Sequence, residues 1–242
     1  MGARSMNTQA DVLKQNNPKT LYQSDYRTND LSKISEIYRE DINISIWERR
    51  LDDPLATSSK FVVKENPRLE FSEVLQPNDV EHSLKSSIGS SHEMLSFFDD
   101  VSYLAFMFCK LFGQKKLWLR LDGIDRPMCP RFHTDQLKCR LVTTYVGPAT
   151  QWIPHHLVNR SKLGYGNDGK PDEKSGLFSS NKDIEQLDTG HVALLKGESW
   201  KGNDGAGLVH RSPHQEGDYK RLYLTIDFVE TYISIYKNSL SY

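Results

Sequence analysis

Hydrophobic and polar positions divide this chain into two unlike halves. From Asn29 the apolar residues Leu31, Ile34, Ile37 and Tyr38 recur at helical spacing behind Asp30, a side chain suited to capping a helix start. Ile42, Ile44 and Ile46 then alternate with polar neighbours, which predicts a strand ending near Trp47. Residues 54–67 are bracketed by prolines and predict irregular chain. A helix is expected over 79–89, closed by Gly89. A longer one follows over 92–112, apolar on nearly every side and therefore buried, with Gly113 ending it.

Beyond Gly113 the period changes. Leu117-Trp118-Leu119 predicts a strand that gives way to a turn at Asp122-Gly123-Ile124-Asp125. Further strands are expected at 131–135, 139–146, 191–195, 208–211 and 221–228, and alternation at 232–236 predicts a last one. Residues 164–188 interrupt the series with a polar insertion rich in Gly, Asn, Asp, Lys and Ser. Such a span serves as a lid or binding loop, or simply runs over the surface. Strands in series without helices between them predict an antiparallel sandwich or barrel. The expected class is α+β. A loose arm over 1–27 precedes a single domain over 28–242, whose mainly helical part, 28–113, packs outside a β-barrel core, 114–242.

Composition narrows the partners. Lys and Arg number 31 against 32 Asp and Glu, so no global field gathers nucleic acid or an anionic membrane. Arg49-Arg50 reads as solvated surface. Neither a G-x-x-x-x-G-K-[ST] nor a G-x-G-x-x-G loop is present. The most apolar run, 101–112, is too short to span a bilayer and contains Cys109 and Lys110. Residues 1–26 lack the apolar segment of a secretory signal. An odd set of cysteines, Cys109, Cys129 and Cys139, points to a reduced, cytoplasmic setting.

Candidate chemistry enters at Phe132-His133-Thr134-Asp135. On a strand, residues two apart share a face, so His133 and Asp135 project together as two ligands of a mixed N/O metal site. His210, in the strand-like Leu208-Val209-His210-Arg211, is the leading third ligand. His214, just beyond Pro213, is its rival. Two histidines and one carboxylate that leave other positions open are the arrangement of non-haem Fe(II) oxygenases. Arg221 opens a strand on which Tyr223 and Thr225 share its face, while Leu222, Leu224 and Ile226 take the other. An arginine at the end of a buried polar face can grip a carboxylate bidentately. Arg131, on the His133 side, is a second anion-binding candidate. Cys129 and Cys139 flank the motif and would suit zinc, although small buried cysteines also account for both.

The order His-x-Asp, distal His, then Arg on the next strand resembles the 2-oxoglutarate/Fe(II) dioxygenases. Residues 140–145 and 190–195 resemble the flanking strands of their prolyl-hydroxylase-like branch. That resemblance covers roughly residues 129–228. It implies a double-stranded β-helix of cupin or jelly-roll kind, Fe(II) held by His133, Asp135 and His210, and 2-oxoglutarate gripped by Arg221 with Tyr223 or Thr225 assisting. Residues 128–135, 139–147, 194–198 and 209–213 resemble a bacterial family without established activity, DUF1826, over most of the chain after Ile42. That second resemblance carries an association with zinc-handling GTPases, which keeps zinc open as the metal. Three functions follow as expectations: an oxygenase acting on a small molecule or a protein, a cupin-like zinc-binding protein of metal homeostasis, or a metal-free interaction module.

Overall fold

The computed structural model describes residues 24–125, 128–213 and 220–230. The chain enters as strand β1 (Ser24–Thr28), where a loose arm was expected, and turns through a 3-10 helix (Leu31–Tyr38) into β2 (Ile42–Trp47). The Asp30 side chain caps that helix by accepting from Ser32 N. Residues 54–67 are mostly not irregular. They contain most of helix α1 (Asp53–Glu65), which starts where Asp52 accepts from Leu55 N at 2.9 Å. Pro54 sits in its first turn, where a missing N–H loses no bond.

Strand β3 (Glu70–Leu75) leads to α2 (Val80–Ile88), ended by Gly89 at φ 94°, and to α3 (Leu95–Phe112), ended by Gly113 in the left-handed region. Contrary to the expected all-round burial of α3, Tyr103 and Phe106 stand about half exposed on its outer side. Strand β4 (Leu117–Ile124) continues through the turn expected at Asp122-Gly123. Pairing on both sides overrides the local preference there: Asp122 lies between Glu70 and Tyr223, and Gly123 N donates to Leu69 O.

The remaining elements are β5 (Cys139–Val146), β6 (Gln151–Ile153), the single turn α4 (Asp172–Ser175), β7 (Glu185–Gln186), β8 (Val192–Lys196), β9 (Val209–Arg211) and β10 (Arg221–Asp227). Ten strands form two sheets among the described residues. The larger runs β1-β2-β8-β5-β10-β4-β3 and is antiparallel except at β1–β2; the smaller runs β7-β6-β9. The molecule is thus a mixed α+β fold with one large, mostly antiparallel sheet, and its hydrogen-bonded ladders do not close into one barrel. The alternation 232–236 lies outside the described residues.

Period-two patterning decides what each face of the large sheet meets. Leu222, Leu224 and Ile226 of β10 pack with Phe97, Leu104 and Phe108 of α3 in the main core. On the opposite face Val142, Ala193 and Leu195 meet Trp152 of the small sheet. The insertion 164–188 forms a structured wall. Its Leu177, Phe178 and Ile184 pack with Phe132 and with Ile153 and Val209 of the small sheet. No helix among the described residues is long and apolar enough to cross a membrane.

Candidate metal centre

The residues that meet between the sheets come from three separate elements. His210 lies on β9 and is buried. His133 is joined to it by an isolated bridge, with N–H···O contacts of 3.1 and 3.0 Å in the two directions. The expected strand over 131–135 is reduced to that bridge. Asp135 follows in a loop fastened to the turn after β8, where Glu198 N donates to Asp135 O at 2.9 Å.

Ligand atoms of His133, Asp135 and His210 all lie within 4.8 Å of one another. His133 Nε2 stands 3.8 Å from Asp135 Oδ1, and His210 Nε2 stands 3.5 Å from Asp135 Oδ2. Each Nδ1 faces a carbonyl, that of Arg131 at 2.9 Å and that of Leu208 at 3.1 Å. A carbonyl only accepts, so each Nδ1 carries a proton and each Nε2 is turned toward Asp135. Backbone partners of this kind fix the tautomer and ring angle of metal-binding histidines. Burial, with a smaller push from His133, drives His210 down to about 4 against the pull of Asp135. Its imidazole is therefore neutral at pH 7, the form that binds a metal.

Asp135 remains ionised. Burial disfavours its charge, but the Arg140 guanidinium, with Arg120 adding a smaller pull, more than offsets this and holds its carboxyl below the usual range. Arg140, on β5, donates Nη1–H to Asp135 Oδ2 at 2.8 Å. The same guanidinium donates from Nε and Nη2 to the two oxygens of Asp227, at 2.8 and 3.1 Å. Arg120 Nη2 adds a 2.8 Å bond to Asp227, which is fully buried. These four side chains form a continuous carboxylate–guanidinium network beneath the triad.

The triad opens on a cavity of about 100 Å³ whose wall includes Arg120, Arg140, Arg211, Tyr223 and Thr225. Two buried atoms of that wall, Arg120 Nε and Thr225 Oγ1, have no hydrogen-bond partner among the described residues. Asp122 also lines the cavity, and burial pushes its carboxyl up to about 6 despite neighbouring Arg120.

The other expected site residues are distributed differently. Arg221 reaches the cavity wall from behind. It donates to the hydroxyls of Thr144 and Thr150 at 3.1 and 3.0 Å and of Ser212 at 3.4 Å, and lies 4.0 Å over the Tyr223 ring. Arg131 does not share the His133 face, because the chain there is not a regular strand. It turns to Asp172 and Lys170 O and lines a neighbouring cleft. Cys139 faces away from the triad into the main core, where burial pushes its thiol up, so it offers no ligand. Cys129 lines the cavity but stands outside the ligand group. His214 lies outside the described residues.

Sequence reasoning missed Arg140, Asp227, Arg120 and Asp172. The first three were visible as charged positions within mainly apolar strands. Asp172 is buried in the insertion, accepts from Phe132 N at 2.8 Å and so pins the residue before His133.

Several solved structures superpose on most of this chain. A dioxygenase for auxin oxidation from rice superposes with a TM-score of 0.49 at 10% identity, covering 84% of this chain and 82% of its own. The corresponding Arabidopsis thaliana enzyme, in a 2-oxoglutarate complex, gives 0.45 at 11%, covering 84% and 91%. A Pseudomonas putida prolyl-4-hydroxylase gives 0.45 at 10%, covering 81% and 97%. At these scores no residue role passes from them to this chain. No curated protein matches the sequence. The model of a family described as "Protein of unknown function (DUF1826)" matches residues 28–227, and this chain belongs to that family.

Proposed function

We propose that this protein is a non-haem Fe(II) oxygenase that uses 2-oxoglutarate, on a double-stranded β-helix framework. The observation that carries the reading is the convergence of two imidazole Nε2 atoms and one carboxylate on an arginine-rich cavity. Two imidazoles and one carboxylate suit Fe(II) and leave positions open. The unpartnered Arg120 Nε and Thr225 Oγ1 suit an anionic cosubstrate. In this reading His133, Asp135 and His210 hold the ion. Tyr223 and Thr225 orient the cosubstrate carboxylate, with the Arg221 charge behind them. Fe(II) with 2-oxoglutarate supplies oxidative attack on a substrate C–H bond. The wall built by the insertion keeps water from one side of the site.

Anaerobic titration with Fe(II) and then 2-oxoglutarate tests this. Both bind, and oxygen uptake depends on 2-oxoglutarate; absence of both binding and uptake sinks the reading. A second reading, a zinc protein without oxygenase activity, is favoured by one observation: Cys129 faces the same cavity. It expects tight zinc, loss of zinc on Cys129→Ser and no 2-oxoglutarate binding. Elemental analysis beside a His133→Ala control separates both from the metal-free module.

A further inference from the structure

Both oxygens of Asp135 face the triad. Oδ1 is 3.8 Å from His133 Nε2 and Oδ2 is 3.5 Å from His210 Nε2. A metal ion between the imidazoles therefore has two carboxylate oxygens within reach. Chelation by both would use one more coordination position than capture by one.

Among the described residues only Oδ2 carries another bond. Arg140 donates to it at 2.8 Å, and that guanidinium cannot swing away easily, because Asp227 fixes it through two further bonds at 2.8 and 3.1 Å. Asp227 is itself immobilised, fully buried and bonded to Arg120 at 2.8 Å. A fork held at three points is a rigid donor. We propose that Arg140, locked by Asp227, is a positioning residue that reserves Asp135 Oδ2, so that the metal takes Oδ1 alone and an extra position stays open for reactants. This rests on the triad being a metal site. It assigns to Arg140 and Asp227 a control over coordination number that the triad alone does not provide.

Stability is a separate role for the same network, so the test must read the ion itself. Mn(II), which takes the same nitrogen and oxygen donors, is added at saturation to the full-length protein, and water-proton relaxation enhancement per bound ion counts the waters on the metal. Wild-type protein and the double variant Arg140→Met/Asp227→Asn are compared. The double change removes one cation and one anion together, so the net charge of the network is unchanged. Circular dichroism and thermal melting establish that the variant is folded. Should it not fold, Arg140→Lys replaces it, since lysine keeps the charge but lacks the fork.

One carboxylate oxygen and two imidazoles leave three of six positions to water; two oxygens leave two. The relaxation enhancement per bound ion is therefore expected to fall by roughly one third in the variant. Unchanged enhancement per ion at saturation overturns the proposal while leaving the metal site in place. Failure of the wild-type protein to bind Mn(II), Fe(II) or Zn(II) overturns the metal site and this proposal with it.

Discussion

At the residue scale, the triad and its support were unequally visible. His133 and Asp135 could be paired from their two-residue spacing, although the strand behind that pairing is reduced to a single bridge at His133. Arg140 and Asp227 could not, because they meet across 87 positions of chain and only the β5–β10 register brings them together. Asp227 is the more demanding of the two. It is fully buried, and truncating it leaves two guanidinium groups short of their partner. Asp227→Ala is expected to cost about 3 kcal/mol, within the range for breaking a buried ion pair from one side, and urea unfolding measures it. Asp122 behaves in the opposite sense. Its folded-state carboxyl is raised to about 6 from 3.8, chiefly by burial. A raised acid favours the folded state fully below 3.8, and that advantage disappears as pH rises through 6. Asp122→Asn, always neutral, should therefore stabilise the protein at pH 8 and lose its advantage over wild type near pH 4. Equal stability of the two proteins at pH 8 would show that Asp122 ionises there without cost.

At the element scale, the strands that read clearly were those whose alternation separates a helix-facing row from a polar row, as in β10 with its Leu222, Leu224 and Ile226. Misreadings came where local signals compete with tertiary pairing. Proline at a helix start looked like a breaker, and Asp122-Gly123 looked like a turn although strands pair on both sides of it. The segment 131–135 looked like a strand, yet Asp135 is positioned by the turn after β8. That turn offers a sharp test. A Cβ at Gly197 would stand 2.1 Å from Leu137 O and 2.7 Å from Asp135 O, both rigid backbone atoms. Gly197→Ala must displace the loop that carries Asp135, and a displacement of this kind at a ligand weakens a metal site by 10-fold or more, on the order of losing an outer-shell partner. Calorimetric titration with Mn(II) or Zn(II) reads that loss. Unchanged affinity would mean that the loop moves without carrying its carboxylate.

At the scale of the whole molecule, the candidate site joins layers that also meet through apolar packing and the Arg27–Glu185 ion pair. His210 belongs to the small sheet and His133 is bridged to it, while Asp135 is tied through Arg140 to the large sheet. An ion bound by all three cross-links the two layers. Binding to the folded state alone adds about 2.7 kcal/mol at a metal concentration 100 times Kd. That stabilisation should not be spread evenly. The large sheet is already fixed by the main core against α3, whereas the small sheet rests on shorter ladders and smaller apolar clusters. Openings of the small sheet alone are thus the cheaper local motions, and they are the ones a bound ion suppresses. Hydrogen exchange followed with and without Zn(II) should show slowed amides in β6, β9 and at His133, with those of β4, β5 and β10 little changed. His133→Ala should abolish the difference. Uniform slowing in both sheets would mean instead that the layers open together and that the ion adds no new link between them.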